Sequence, residues 1–174
     1  MVDMSSKLLL ITPEILLLIG AVVVAVLGLS SNRRVRNAVP WTTIGFLVAA
    51  IIATDVVYDG SEAVTGADLL LPNLGLYLKV MVGVIAIGLV LVGIGMVDRR
   101  YEEAIRNGRA GFDPLRVVRG EYHAFLLLSI AGTMLIANAN DLIWLFLAIE
   151  LSSLPTYVMV ALGRGTRRNM EAAI

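Results

Sequence analysis

Long, unbroken apolar runs are the feature that most constrains how this sequence can fold. A helix that crosses a bilayer needs roughly 20 mostly apolar residues, because it rises ~1.5 Å per residue across a hydrocarbon core of ~30 Å. Five such spans are predicted, at about 8–29, 39–58, 75–97, 122–138 and 141–162. The runs lack the apolar–polar alternation that a transmembrane β-barrel requires. The sequence therefore predicts an all-α fold, a polytopic transmembrane helix bundle that forms a single membrane domain over 1–174.

The composition agrees with a membrane protein and excludes several other classes. The chain is 58% hydrophobic and 16% charged, whereas an ordinary soluble domain is about half apolar and a quarter charged. The net charge of zero gives no overall field that would recruit nucleic acid. The absence of cysteine excludes disulfides, iron–sulfur ligation and thiolate catalysis. A single histidine is too little for a typical haem or zinc site, so no metal or cofactor is expected on this chain. The first seven residues lack a basic segment and a cleavage site, which favours a retained first helix over a signal peptide.

The last apolar stretch, residues 122–162, is about twice the length of one span and must fold back on itself. Asn138, Asn140 and Asp141 mark the turn. Asparagine tolerates the left-handed conformation that ends a helix, and aspartate is a favourable N-cap for the next helix.

The arginines indicate the orientation in the membrane. All of them lie in three segments: 32–37, the charged loop 98–121, and the tail after Leu162. Segment 59–73 has no basic residue. Because consecutive spans alternate in direction, the three arginine-rich segments share one face, which the positive-inside rule makes cytoplasmic. We expect an N-terminus outside, a cytoplasmic C-terminus, residence in the plasma membrane, and a short charged surface helix near 98–109.

Four ionisable residues lie near the ends of the predicted spans, and one of them, Asp55, is expected to be solvated at the outer end of the second span. Glu14 follows Thr12-Pro13, a sequence typical of a helix start, where the helix dipole favours an acid. Lys79 lies about one turn inside the third span, and either its side chain extends to the outer surface or it pairs with a carboxylate. His123 lies at the cytoplasmic start of the fourth span, and it is either an interfacial residue or a point of proton entry.

Glu150 differs from these residues because it lies near the middle of its span. An ionised side chain there costs ~2.5–3.5 kcal/mol on insertion scales. Such an acid either holds and passes protons, or is a neutral structural group hydrogen-bonded between helices. Ser153 and Tyr157 continue its helical face at i+3 and i+7, and could hold bridging water.

Two further features favour a hydrated proton path near this acid. Ser129 and Thr133 have i, i+4 spacing in the fourth span and could face the same interior. Pro155 removes a backbone donor and tends to kink the fifth span, which frees carbonyls that water can satisfy. Four side chains, together with His123, are therefore candidates for lining the path: Ser129, Thr133, Ser153 and Tyr157.

The segment 120–162 resembles the fourth and fifth helices of the antiporter-like subunit N of proton-pumping NADH:quinone oxidoreductase, respiratory complex I. The matching stretches are Gly-Glu-Tyr at 120–122, Ala-Asn-Asp-Leu at 139–142, Leu-Phe-Leu-x-x-Glu-Leu-x-Ser-Leu-Pro-x-Tyr at 145–157 and Asn-Met-Glu-Ala-Ala at 169–173. The resemblance is strong over 120–174 and weak but compatible over 1–119, including Pro13-Glu14 and Lys79. Members of this family have many more helices, so we expect further helices after residue 174.

The resemblance implies a non-redox membrane subunit that takes part in proton translocation coupled to quinone reduction. NADH, FMN, iron–sulfur clusters and quinone would then be bound by partner subunits, with other membrane subunits of complex I and the lipid bilayer as the contacts of this chain. Glu150 occupies the place of the family's proton-transfer glutamate, and Lys79 is a weaker candidate. The alternatives are a subunit of an Mrp-type cation/proton antiporter, or a truncated helix bundle without transport activity.

Overall fold

The computed structural model describes residues 10–58, 74–94, 99–109, 111, 117–139 and 141–162. The regular elements in these residues are all helices: α1 (Thr12–Gly28), α2 (Arg33–Tyr58), α3 (Leu74–Gly93), α4 (Arg99–Arg106), α5 (Arg119–Ile136) and α6 (Leu142–Leu162). The predicted all-α fold is thereby confirmed.

Within the residues that the structure describes, three helices are long and apolar enough to cross a membrane, namely Arg33–Val57 within α2, α3 and α6. α1 is a shorter apolar helix. The count of five spans and the direction of the termini across the membrane stay predictions.

The structure corrects the predicted helix boundaries on the arginine-rich side. The sequence pattern predicts a loop at residues 33–37, but these residues form the first turns of α2, because the Asn32 side chain caps that helix. Its Oδ1 accepts a hydrogen bond from the Arg34 backbone N–H at 3.0 Å. α5 begins at Arg119 instead of Tyr122, which shortens the predicted loop 98–121. The expected short charged helix is confirmed as α4, and Gly108, with a φ of 66°, follows its end.

A core of apolar side chains joins α1, α2, α3 and α5. Its fully buried members include Leu17, Val24, Leu47, Leu127 and Met134. α1 packs against α2 and α5, while α3 packs against α2 and α5. Among the described residues, α6 contacts α5 and no other helix. The four helices α1, α2, α3 and α5 therefore form a compact bundle, and α6 lies at its side.

Close contacts fix the relative direction of the helices. The end of α1 lies against the start of α5, where a Cβ added at Gly28 would lie 2.8 Å from the backbone nitrogen of Gly120. Arg119 at the start of α5 donates a hydrogen bond from Nη1 to Asn37 Oδ1 at 3.0 Å. Arg36 is buried, and its Nη1 donates to the carbonyls of residues 30 and 31 after α1, at 3.0 and 2.9 Å. The end of the bundle that contains Arg36 and Arg119 is called the arginine end. The other end, at which α1 and α3 begin, is called the opposite end.

Candidate functional site

Glu150 lies on the side of α6 that faces away from the rest of the chain. The buried residues of α6 are Ala148 and Pro155, which are seven positions apart and therefore on one face. Glu150 comes two residues after Ala148, a rotation of ~200° around the helix axis. It is half-buried, and its carboxylate has neither a hydrogen-bond nor an ion-pair partner among the described side chains. Within this part of the chain, the acid is directed to a surface that no other described helix covers.

The face around Glu150 is apolar and open. Phe146, four residues before it, is 60% exposed, and Tyr157, seven residues after it, is 54% exposed. Ser153 is half-buried, and its hydroxyl lies 3.5 Å from the backbone carbonyl of Glu150. The structure thus places Ser153 and Tyr157 on the same side of α6 as the acid, as the helical spacing predicts.

Ser129 and Thr133 lie elsewhere, in the contact between α5 and α6. Ser129 Oγ donates to the carbonyl of Ser152 at 2.9 Å and lies 3.2 Å from Thr156 Oγ1. Thr133 Oγ1 donates to the carbonyl of Ser129 at 2.9 Å and lies 3.0 Å from Ser152 Oγ. These hydroxyls join the two helices on the side of α6 that is remote from Glu150, so the structure does not bring them together with the acid.

Pro155 lies inside α6 and does not end it. α6 continues as one helix from Leu142 to Leu162. The Ser152 carbonyl, three residues before the proline, accepts hydrogen bonds from Ser129 Oγ at 2.9 Å and from Thr156 Oγ1 at 2.8 Å. Pro155 removes the helical donor for the carbonyl of Leu151, four residues before it, so these two hydroxyl groups bond to the carbonyl next to the one that the proline leaves without a donor.

Lys79 forms a buried ion pair with Glu14. Its Nζ lies 2.6 Å from Glu14 Oε1, and the side chains of both residues are 0% exposed. Lys79 Nζ also donates to the carbonyl of Leu10 at 3.4 Å. The interpretation in which Lys79 extends to the outer surface is therefore wrong, and the alternative with a partner carboxylate is confirmed. Glu14, interpreted from the sequence as a residue that only stabilises the helix start, is the partner.

His123 is buried at the arginine end of the bundle, with 1% of its surface exposed. Its Nδ1 lies 2.8 Å from the carbonyl oxygen of Arg119. Because a carbonyl oxygen only accepts hydrogen bonds, Nδ1 carries the ring hydrogen and is the donor. Nε2 is buried and has no hydrogen-bond partner among the described residues. The ring of Tyr122 meets the imidazole edge to face at 5.4 Å. An apolar core separates His123 from the ion pair at the opposite end.

The sequence contains a signal for the ion pair, because Glu14 and Lys79 lie at similar distances from the starts of their predicted spans. Thr12-Pro13-Glu14 and Lys79 each lie within about two turns of the start of an odd-numbered span. Since consecutive spans alternate in direction, the starts of the first and third spans share one end of a bundle. An acid and a base at matching depth in such spans favour an ion pair over two separate solvated side chains.

Comparison with known proteins gives a consistent set of relatives. The chain is 35% identical over 170 residues to a protein of Opitutus terrae named NADH-quinone oxidoreductase subunit N 2, a match that covers 93% of this chain and 31% of that protein. It is 32% identical over 162 residues to subunit N 1 of Solibacter usitatus, covering 93% of this chain and 30% of that protein. It is 28% identical over 172 residues to subunit N of Maricaulis maris, a match that covers 98% of this chain and 33% of that protein.

The chain thus spans about a third of the length of the curated relatives that it matches. No protein-family model matches it, and no solved structure matches it significantly.

Proposed function

We propose that this chain, a homologue of NADH-quinone oxidoreductase subunit N along almost its whole length, is a non-redox membrane subunit of such a complex. In this role it takes part in proton translocation coupled to quinone reduction, in the plasma membrane. One structural observation carries the proposal: a carboxylate halfway along an apolar helix, without a partner in the described part of its own chain.

Glu150 would act as a carboxylate whose charge depends on its neighbours. In a membrane, an unpaired carboxylate is costly, so the isolated group favours the protonated form. A basic group that approaches from a covering helix favours the ionised form, and its withdrawal favours protonation again. Alternate approach and withdrawal of such a cation would make Glu150 release and take up a proton.

The packing supports a path along the outer face of α6. Between the buried ion pair and His123, the interior of the four-helix bundle is packed mainly with apolar side chains, including Leu17, Leu47 and Leu127, each of which is 0% exposed. A chain of waters needs polar partners, and few side chains in this section of the core are polar. The polar groups of a proton path would therefore lie between the face of Glu150 and the helices that cover it.

The covering helices are expected from beyond residues 1–174 or from a neighbouring subunit. The relatives are about three times as long as this chain, and the face of α6 around Glu150 carries exposed Phe146, Leu147 and Tyr157. Exposed apolar side chains of this kind can contact either lipid or another transmembrane helix. A helix with a basic residue at the level of Glu150 would satisfy the acid.

The assignment to the complex is tested by purification. We expect an affinity-tagged version of the chain, expressed at its natural level, to co-purify with subunits that carry flavin and iron–sulfur clusters. We also expect deletion of its gene to abolish proton uptake driven by NADH oxidation in membrane vesicles, with restoration by the intact gene. Sodium-dependent proton exchange without NADH oxidation would instead identify an antiporter subunit, and assembly without any effect on proton transport would identify a structural bundle.

A further inference from the structure

The ion pair of Glu14 and Lys79 joins two helices whose backbones are not in contact. In the described residues, α1 and α3 share no backbone contact, and α2 and α5 lie between them. The two long side chains cross this distance and meet with Nζ and Oε1 2.6 Å apart, both fully enclosed. A buried pair of this kind adds little stability over apolar side chains of the same volume, because both charges lose their hydration. Stability alone therefore gives a weak reason for placing two charges here.

One oxygen of this carboxylate has no hydrogen-bond partner. Glu14 Oε2 is enclosed by protein, and no described group donates a hydrogen bond to it. Buried carboxylate oxygens in native proteins are usually satisfied, and an exception indicates a functional role or a transient donor. The transient donor that suits an enclosed carboxylate oxygen is a water molecule that carries or receives a proton.

We propose that Glu14 and Lys79 form a second proton-exchange site, separate from Glu150, which opens at Oε2 toward the end of the bundle where α1 and α3 begin. The proposal rests on the proposed function for its place in proton translocation. A proton moves from Nζ to Oε1: an N–H bond breaks, an O–H bond forms, and the ammonium–carboxylate pair becomes an amine–carboxylic acid pair with the same net charge. A half-turn of the carboxyl group presents this proton to a water molecule, which accepts it and leaves the carboxylate ionised. The reverse sequence loads the site again.

The distance to the aqueous phase is short on one side. Glu14 is the third residue of α1 and Lys79 the sixth residue of α3. At a rise of ~1.5 Å per residue, both lie within ~9 Å of the start of their helices. Toward the arginine end, by contrast, the apolar core lies between the ion pair and the end of the bundle. The site therefore exchanges protons with the face at which α1 and α3 begin, which the arginine pattern predicts to be the outer face.

Few other titratable groups surround the pair in the described helices. On α2, Asp55 lies near the same end and is exposed, while on α3 itself Tyr77 is 69% exposed. On α5, residues 124–136 include no ionisable side chain, and His123 lies at the arginine end. Unloading leaves a negative charge in a medium of low dielectric constant, so it is favoured when a positive charge approaches from elsewhere in the complex. The site is thus suited to respond to distant charge movement.

The first test uses the full chain in lipid vesicles and needs no other subunit. Infrared difference spectra recorded across a pH titration should contain a carboxylic acid C=O band that shifts in D₂O and disappears in Glu14→Gln. Lys79→Met should hold Glu14 in the protonated form and make the band insensitive to pH. Where Glu14→Gln does not fold, Glu14→Asp should shift the band. A spectrum that neither variant of Glu14 alters would overturn the proposal.

The second test uses the assembled complex and the double variant Glu14→Gln/Lys79→Met. Replacing both charges by neutral groups of similar volume should preserve assembly. We expect the initial rate of proton uptake driven by NADH oxidation to fall about 10-fold or more, since a positioned proton-transfer group contributes ~10²–10⁴-fold to the rate of its step. The matched control is Thr54→Val, a buried residue near the same end of α2 whose hydroxyl bonds only within its own helix, and it should translocate like the wild type.

The results separate this proposal from the proposed function. Wild-type translocation by the assembled double variant contradicts the second exchange site, whatever the result for Glu150. A proton-exchanging Glu14 in the isolated chain, together with the absence of any link to NADH oxidation, contradicts the proposed function and leaves the exchange site standing.

Discussion

Gly132 of α5 lies directly against the backbone of Ser152 on α6. A Cβ added to this glycine would lie 2.7 Å from the carbonyl carbon of Leu151 and 2.9 Å from the Cα of Ser152. Ser129 and Thr133 flank this contact and reach the polar atoms of Ser152. A small residue at the crossing thus allows the hydroxyl groups of the two helices to meet. This crossing fixes which side of α6 faces the bundle, and hence which side presents Glu150.

Gly132→Ala should force α5 and α6 apart, because the new methyl group meets backbone atoms that cannot rotate away. We expect a destabilisation of ~1–3 kcal/mol, as for other overpacked contacts. Thermal unfolding of the purified chain in detergent measures it. Gly88→Ala is the matched control, since no atom lies within 4 Å of a Cβ at Gly88. Equal unfolding temperatures for the two variants would contradict this crossing.

The apolar runs predict the all-α fold because a continuously apolar segment of about 20 residues crosses a membrane as a helix, which satisfies its own backbone hydrogen bonds. The turn at 138–141 and the cap at Asp141 follow from local side-chain chemistry, which the neighbouring sequence determines. The start of α2 does not follow from the apolar pattern, which begins only near Val39, because the helix is set by the Asn32 cap several residues earlier.

The side-chain neighbours are less predictable than the helices. The helical spacing of Ser129 and Thr133 suggests a place near Glu150, but it cannot say which face of α6 they meet. That choice depends on Gly132, where the close approach of two backbones sets the rotation of α6. The partner of Lys79 likewise depends on the relative position of α1 and α3, which local sequence patterns do not encode.

Lys79→Met alone should destabilise the bundle, because it leaves the carboxyl group of Glu14 enclosed without its partner. Breaking a buried pair from one side costs ~3–5 kcal/mol, whereas replacing both partners is often close to neutral. We therefore expect Glu14→Gln/Lys79→Met to unfold at a higher temperature than Lys79→Met in the same detergent. A double variant that is less stable than either single variant would contradict the ion pair between these residues.

Asp141→Ala should weaken the start of α6. Asp141 Oδ1 accepts a hydrogen bond from the Trp144 backbone N–H at 2.6 Å, which is the geometry of an N-cap. We expect a loss of ~0.5–2 kcal/mol in stability. Asp141→Asn keeps the accepting oxygen and should remain close to the wild type. Hydrogen exchange at the first amides of α6 reports on the cap, and equal protection in the alanine variant and the wild type would contradict this role.

Glu150→Gln tests the central claim most directly, in the assembled complex in membrane vesicles. The substitution preserves the shape of the side chain but removes its ability to hold and release a proton. Asp141→Asn makes the same chemical change at the exposed start of the same helix, and serves as the control. We predict normal assembly for both variants, with the initial rate of NADH-driven proton uptake reduced about 10-fold or more in Glu150→Gln and unchanged in Asp141→Asn. A fully assembled Glu150→Gln complex that translocates protons like the wild type would contradict the role assigned to this residue.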